Sequence, residues 1–192
     1  MIMMLKDILR TLAFSLIPAF IFAFLIIMAL PTFKKYGIKR VFAAFFNDIK
    51  QCKENLYLLF FLMYIFIVYY KTVLQRDFSY SPLENVFSGW KIFVTQYNGL
   101  DYQVIGNVVM FLPFSFFFCL MNQEKNNIYL LKFSILFSFL FSLFIELNQL
   151  IFSKGTFQFS DIVYNTLGGL IGALIYLLIK LIKNRINKKG AK

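Results

Sequence analysis

The sequence predicts an all-α fold: a polytopic transmembrane helix bundle with about five membrane-crossing helices. Three observations predict it. The 192 residues are 60% hydrophobic, 20% aromatic and only 15% charged, whereas a soluble domain is about 45–50% apolar and about 25% charged. The apolar residues are gathered into blocks, and runs of about 18 or more are the mark of membrane-spanning helices. Those blocks lack the period-two alternation of a barrel strand, and inside hydrocarbon a helix satisfies its own backbone hydrogen bonds.

The first block, residues 12–30, is broken only by Ser15 and Pro18. Lys6 and Arg10 before it give it the charged start of a signal peptide. The run is longer than the roughly 7–15 residues of a signal core and no A-x-A site follows, so a retained helix is expected. Residues 41–46 are too short to span. With Lys39, Arg40, Lys50 and Lys53 around them they are expected to lie flat on the membrane surface. The second block, 56–74, is apolar and aromatic up to Tyr70, and Lys71 is near enough to its end to snorkel. The third, 104–121, carries Asn107, with Pro113 expected to kink or loosen it at mid-span. The fourth, 131–152, carries Glu146, and the fifth, 162–182, carries Asn165 and Lys180. This organises the chain as an N-terminal helix and basic cytoplasmic loop (1–55), a transmembrane domain (56–183) and a basic cytoplasmic tail (184–192).

Orientation follows from the distribution of Lys and Arg among the connections. Most of the 20 lie in the first loop (Lys34, Lys35, Lys39, Arg40, Lys50, Lys53), the third (Lys125, Lys132) and the tail (Lys180, Lys183, Arg185, Lys188, Lys189, Lys192). Fewer lie on the other side: Lys6, Arg10, Lys71, Arg76, Lys91 and Lys154. The expectation is an amino terminus outside and a carboxyl terminus in the cytoplasm. The net charge of +11 therefore reads as topology and headgroup contact. No nucleic-acid-binding motif accompanies it, so membrane lipids and not nucleic acid are the expected partners. Oligomeric state is not legible. Cys52 and Cys119 fall in a cytoplasmic loop and towards the inner end of a helix, which argues against a disulfide. With no His and no Cys pair at ligand spacing, neither a metal nor another cofactor is expected.

What remains is polarity where polarity is costly. Ser134, Ser138 and Ser142 precede Glu146 at steps of four and Gln149 follows at three, one polar stripe on a helix otherwise covered by Phe and Leu. Serine and glutamine at such positions read first as glue between helices. An ionisable Glu146 is a functional candidate by default. The last helix opens Ser160-Asp161-Ile162-Val163-Tyr164-Asn165. Ser160 or Asp161 can cap its first turn, and a carboxylate there suits the helix dipole, so Asp161 is open to a structural and a functional reading. The face of Asp161 continues through Asn165, Gly168, Gly172 and Tyr176. Gly168 and Gly172 form a G-x-x-x-G pair with Gly169 and Ala173 beside them, which predicts close helix packing. By the predicted orientation Asn107, Glu146, Gln149, Asp161 and Asn165 share the outer part of the membrane, a depth at which they can satisfy one another or a ligand's polar head. The long connection over residues 75–103, with Trp90 and several Tyr and Phe, is expected to lie on the outer surface, where aromatic residues settle.

Three of these stretches carry a resemblance: Gly106-Asn107 with Phe111-Leu112-Pro113-Phe114, then Glu146-Leu147-Asn148-Gln149, then Asp161-Ile162-Val163-Tyr164-Asn165-Thr166-Leu167-Gly168-Gly169 with Gly172. In that order they resemble the VanZ-like family of bacterial membrane proteins, over roughly residues 56–182, and Arg76 stands where the family has an Arg after its preceding helix. The sequence departs from the family pattern at Ser115, where Gly is common. It departs again around Thr156, where an Arg often precedes the Asp, a place that Lys154 or Arg76 would have to fill. A third departure is Asn85-Val86-Phe87, a reduced form of a longer family element. The resemblance implies an envelope protein associated with resistance to the lipoglycopeptide teicoplanin.

The leading expectation is a non-enzymatic protein that binds an amphiphile, a lipoglycopeptide or a lipid-linked cell-wall precursor, through Arg76, Asn107, Glu146, Gln149, Asp161 and Asn165. Gly168, Gly169 and Gly172 serve packing. The alternative is an intramembrane enzyme acting on a lipid-linked substrate with Glu146 or Asp161 as general base, although no nucleophile motif or metal set accompanies them. A small transporter or a scaffold is the third reading, against which stands the absence of matching halves.

Overall fold

A computed structural model describes residues 2–30, 47, 53–94 and 99–190. Among these residues the regular structure is helical apart from one two-residue ladder and an isolated Phe78–Lys154 bridge, and five helices are long and apolar enough to cross a membrane. The chain divides into two compact units, Met1–Gln75 and Arg76–Lys192. The expected surface piece at 41–46 and Cys52 lie outside the described residues.

The first unit is a helix pair. Helix α1 (Ile2–Ala29) runs unbroken through Pro18, and α2 (Lys53–Tyr69) packs along it. Small side chains make the close approach possible: Ala19 and Ala23 are wholly buried, and Ala23, Phe24, Ile27 and Leu59 form the core. At its end α2 widens into a π-helical turn, Tyr70–Leu74, closed by the Gln75 N–H donating to the Tyr70 carbonyl at 2.8 Å. Thr72 donates back to the Val68 carbonyl, and the Thr11 hydroxyl of α1 reaches Gln75 Oε1 at 2.8 Å. Such a widened turn rarely announces itself in sequence.

The second unit begins with the connection from Arg76 to Asp101. It ends in a short antiparallel ladder, β1 (Phe93–Val94) against β2 (Gly99–Leu100). Helix α3 (Tyr102–Met121) starts at Asp101, whose carboxylate accepts the Gln103 N–H at 2.8 Å in an N-cap. Pro113 neither ends nor interrupts it. The residues on either side are held by neighbours: Leu112 lies under Gly172, and the Phe114 ring stacks on Phe141 at 5.2 Å. Helix α4 (Asn127–Ile151) is capped by Asn126 at its start. Its end is a Schellman turn, with Ser153 N–H donating to Leu150 and Lys154 N–H to Gln149. Ser153, at φ 52°, occupies the left-handed position that glycine usually fills.

Helix α5 (Phe159–Gly190) packs against both α3 and α4. Its glycines set the spacing on two faces. A Cβ at Gly168 would collide with the Val108 carbonyl oxygen, and one at Gly172 with that of Leu112, so α3 lies backbone to backbone against this face. A Cβ at Gly169 would strike Ser138 of α4. Helix α4 is consequently inside-out relative to a soluble amphipathic helix. Ser134, Ser138, Ser142, Glu146 and Gln149 are buried, while Leu140, Phe144 and Ile151 are exposed on the lipid side.

Candidate functional site

The three serines of α4 each meet a polar atom of a neighbouring helix. Ser134 lies 3.4 Å from the Cys119 sulfur, Ser138 3.1 Å from the Ser115 hydroxyl, and Ser142 accepts from Asn165 Nδ2 at 2.8 Å. This ladder stitches α4 to α3 and α5 through the depth of the bundle. Its rungs are wholly buried and small, the form that interhelical glue takes in a membrane. Ser115 is one of these rungs.

Above the ladder polarity converges. Asn107 is one and a half turns into α3, Glu146 about the same distance from the end of α4, and Asp161 and Asn165 in the first two turns of α5. At about 1.5 Å per residue all four stand within roughly 10 Å of the same end of the three helices. Glu146 accepts the backbone N–H of Gln158 at 2.9 Å, a buried hydrogen bond to the segment leading into α5. Asp161 accepts from Gln103 Nε2 at 3.4 Å, and the same amide donates to Gln158 Oε1 at 3.2 Å. Asn107 is close enough to Asp161 to act on its charge, and the two carboxylates feel each other. Arg76 acts electrostatically on both, although no ion pair forms with either carboxylate among the described residues. Gln149 is buried on the same face of α4 as Glu146, its carbonyl taken by Lys154 N–H at 2.8 Å.

Asn107 Nδ2 and Asn165 Oδ1 are buried and make no hydrogen bond among the described residues. Glu146, Asp161 and Asn165 are 1%, 4% and 2% exposed. Gln103 stands at the rim and is exposed to solvent. Among the described residues no three His, Cys, Asp or Glu side chains gather as a metal site would.

A strap closes the end of the bundle. The segment 77–90 runs alongside 153–164 and is fastened to it by backbone bonds: Ser79 to Ser153, Gly155 to Asp77, Phe157 to Pro82 and Phe159 to Val86. Two side chains of α5 add to these, Ser160 donating to the Ser88 carbonyl and Tyr164 to that of Trp90. Helix α5 begins at Phe159, one residue before Ser160. Neither Ser160 nor Asp161 is therefore placed as the cap expected from the sequence: both lie inside the first turn, and their side chains bond to other segments. Gly155, at φ +87°, has Arg76 packed against it; a Cβ there would come within 2.8 Å of the Arg76 Cδ and Nη1. The sharp turn after α4 thus leaves room for the Arg76 side chain.

A family model described as VanZ/LLP1 matches residues 55–180. The chain belongs to this VanZ-like family. The match begins in α2 and ends within α5, and takes in the strap, the serine ladder and the polar cluster of this VanZ-like chain. Comparison with curated proteins and with solved structures gives no match.

Sequence reasoning named Arg76, Asn107, Glu146, Gln149, Asp161 and Asn165, and it missed two members of the VanZ-like cluster. Gln103 lies one turn before Asn107 on the same face of α3, a spacing that could have pointed to it. Gln158 contributes its backbone N–H and a side chain from an irregular segment, and no periodicity marks such a residue.

Proposed function

We propose that this VanZ-like chain is a multi-pass envelope protein whose polar cluster faces the outer leaflet and engages the polar head of an amphiphile. By this reading it lowers the access of lipoglycopeptides of the teicoplanin type to their target. The observation that carries the reading is the gathering of Asn107, Glu146, Asp161 and Asn165 at one end of three helices, beneath a strap of aromatic-rich backbone. Buried groups of this cost are kept where they are used. The distribution of Lys and Arg supports an amino terminus outside and a carboxyl terminus in the cytoplasm, which turns this end outward. Tyr80, Phe87 and Trp90 of the strap are exposed, as side chains at a headgroup layer are.

The test is teicoplanin susceptibility of a Gram-positive host expressing wild type or Glu146→Gln at matched membrane levels. Protection by wild type that is lost in the variant supports the proposal. Equal protection by both removes Glu146 from the function, and protection by neither removes the antibiotic role.

A second reading has one observation in its favour: Glu146 and Asp161 are near enough to influence each other, an arrangement suited to acid–base chemistry on a lipid-linked substrate. Turnover of such a lipid by purified wild type, absent in Glu146→Gln, would favour this reading.

A further inference from the structure

Acceptor oxygens outnumber donors in the polar cluster: those of Glu146, Asp161 and Asn165 face only Gln158 N–H, Gln103 Nε2 and the buried Asn107 Nδ2 among the described residues. Among the described residues Glu146 receives one hydrogen bond, from Gln158 N–H. Among the described residues Asp161 receives one long bond, from an amide that it shares with Gln158, and the Asn107 side chain acts on it from close by. Asn165 spends its Nδ2 on Ser142 and its Oδ1, in a side chain 2% exposed, has no partner among the described residues, one rung below Glu146 on the ladder. Arg76, the cation that acts on both carboxylates, makes no ion pair with either among the described residues. Buried carboxylates and amide oxygens are stable when they accept hydrogen bonds, and an ammonium group brings three donors and a compensating charge in one compact head.

The rim shows where such a group would arrive. Gln103 is the exposed member of the cluster, and its amide spans Asp161 and Gln158 at 3.4 and 3.2 Å. Both contacts are longer than the usual 2.9–3.0 Å. Its Nε2 occupies the place beside Asp161 that an incoming N–H donor would take.

We propose that the cluster takes a primary-ammonium head group, and that Gln103 is the residue that gives way to it. This rests on the reading of the cluster as a ligand site and adds the chemistry of the ligand. A primary ammonium can donate to Asp161 and, further in, to Glu146 and Asn165 Oδ1. A quaternary ammonium of equal charge has no N–H to donate, so the proposal separates two cations that charge alone would not.

The experiment uses the full chain in nanodiscs of phosphatidylglycerol that contain an equal fraction of either phosphatidylethanolamine or phosphatidylcholine, with thermal unfolding as the readout. Ethanolamine added to phosphatidylglycerol-only nanodiscs distinguishes a free amine from a lipid head as the source. The expected result is an unfolding midpoint about 5 °C higher with the primary amine than with choline, a difference that disappears in Asp161→Asn. In Gln103→Ala the difference persists or grows, because the competing amide is gone. That rim variant keeps the test decisive if Asp161→Asn fails to fold. Equal midpoints in wild type, or a difference that survives in Asp161→Asn, overturn the ammonium assignment. Loss of the difference in Gln103→Ala overturns the role given to Gln103. An amine effect without protection against teicoplanin leaves the ligand class standing and removes the antibiotic reading, and the reverse pattern does the opposite.

Discussion

The packing of α5 on α3 makes a prediction that two glycines of similar sequence context answer in opposite ways. Gly172→Ala places a methyl group against the Leu112 carbonyl oxygen, with Leu112 C and Cα both 3.1 Å away. The obstacle is backbone, so relief requires the two helices to separate. Overpacking typically costs about 1–3 kcal/mol and, against backbone that cannot yield, about 2–3 kcal/mol, against roughly 1 kcal/mol gained in helix propensity, leaving a net destabilisation on the order of 1–2 kcal/mol. Gly106→Ala, within α3, has nothing within 4 Å of the added methyl, so the propensity gain stands alone and the variant is neutral or slightly stabilised. The assay is built into the unit. Cys119 is buried on α3 against Ser134, and in a Cys52→Ser background it is the one thiol of the chain. Its labelling by a thiol reagent reports opening of the three-helix unit. Gly172→Ala should label about 5–30-fold faster than its parent, and Gly106→Ala no faster. Equal acceleration by both, or none by either, would refute the argument that backbone proximity on α5 holds the unit together.

Three further expectations concern the ladder, the turn and Arg76. Ser142→Ala takes away the acceptor of the buried Asn165 amide and should destabilise by about 0.6–2 kcal/mol, read in the same Cys119 labelling; no change would mean that the rung contributes nothing. Ser153→Gly relieves a left-handed residue at φ 52°. It should stabilise by roughly 0.5 kcal/mol after the extra freedom of glycine in the unfolded chain is deducted, seen as a small rise in unfolding midpoint. Gly155→Ala is opposite in sign: φ is +87° and the new methyl meets Arg76 at 2.8 Å. A loss of about 1–2 kcal/mol is expected, with any teicoplanin protection reduced along with it if Arg76 has to stay beside the carboxylates.

The membrane-spanning helices were legible because the bilayer imposes a length and a composition that no other fold requires, and the five apolar blocks carry little else. The inward stripe of α4 was legible for a related reason. In lipid the rare polar residue is the informative one, and steps of four from Ser134 to Glu146 leave only one face for it. Gly168 and Gly172 announced close packing by spacing alone, but that Gly169 serves a different neighbour from Gly168 depends on the rotation of α5 against α4, which pairwise spacing does not encode. The strap was hidden for a different reason. Its bonds are made by backbone groups of Pro82, Val86 and Ser88, and backbone carbonyls are the same whatever side chains they bear. Helix α5 starts ahead of the expected Ser160 or Asp161 cap because Phe159 reads as the tail of a loop, and its N–H is satisfied by Val86 and not by a capping side chain. Gln158 was invisible for the same cause, since the group that binds Glu146 is its amide N–H.

The place of α5 has a consequence for how the protein is made. Among these helices it is the last to leave the ribosome, yet the partners of Ser142 and Glu146 arrive only with it and with the residues just ahead of it. Until residue 158 has emerged, α4 carries a carboxylate and a hydroxyl without those partners, exposed to lipid or to the insertion machinery. The third and fourth spans should therefore linger beside the translocon as an unfinished pair, and be released into the bilayer when the last span closes over them. A chain truncated before α5 would leave those groups in hydrocarbon, a pattern that membrane quality control can recognise without reading any degradation signal. The polar face of α4 would then act twice: as a checkpoint during synthesis, and as a seam in the finished bundle.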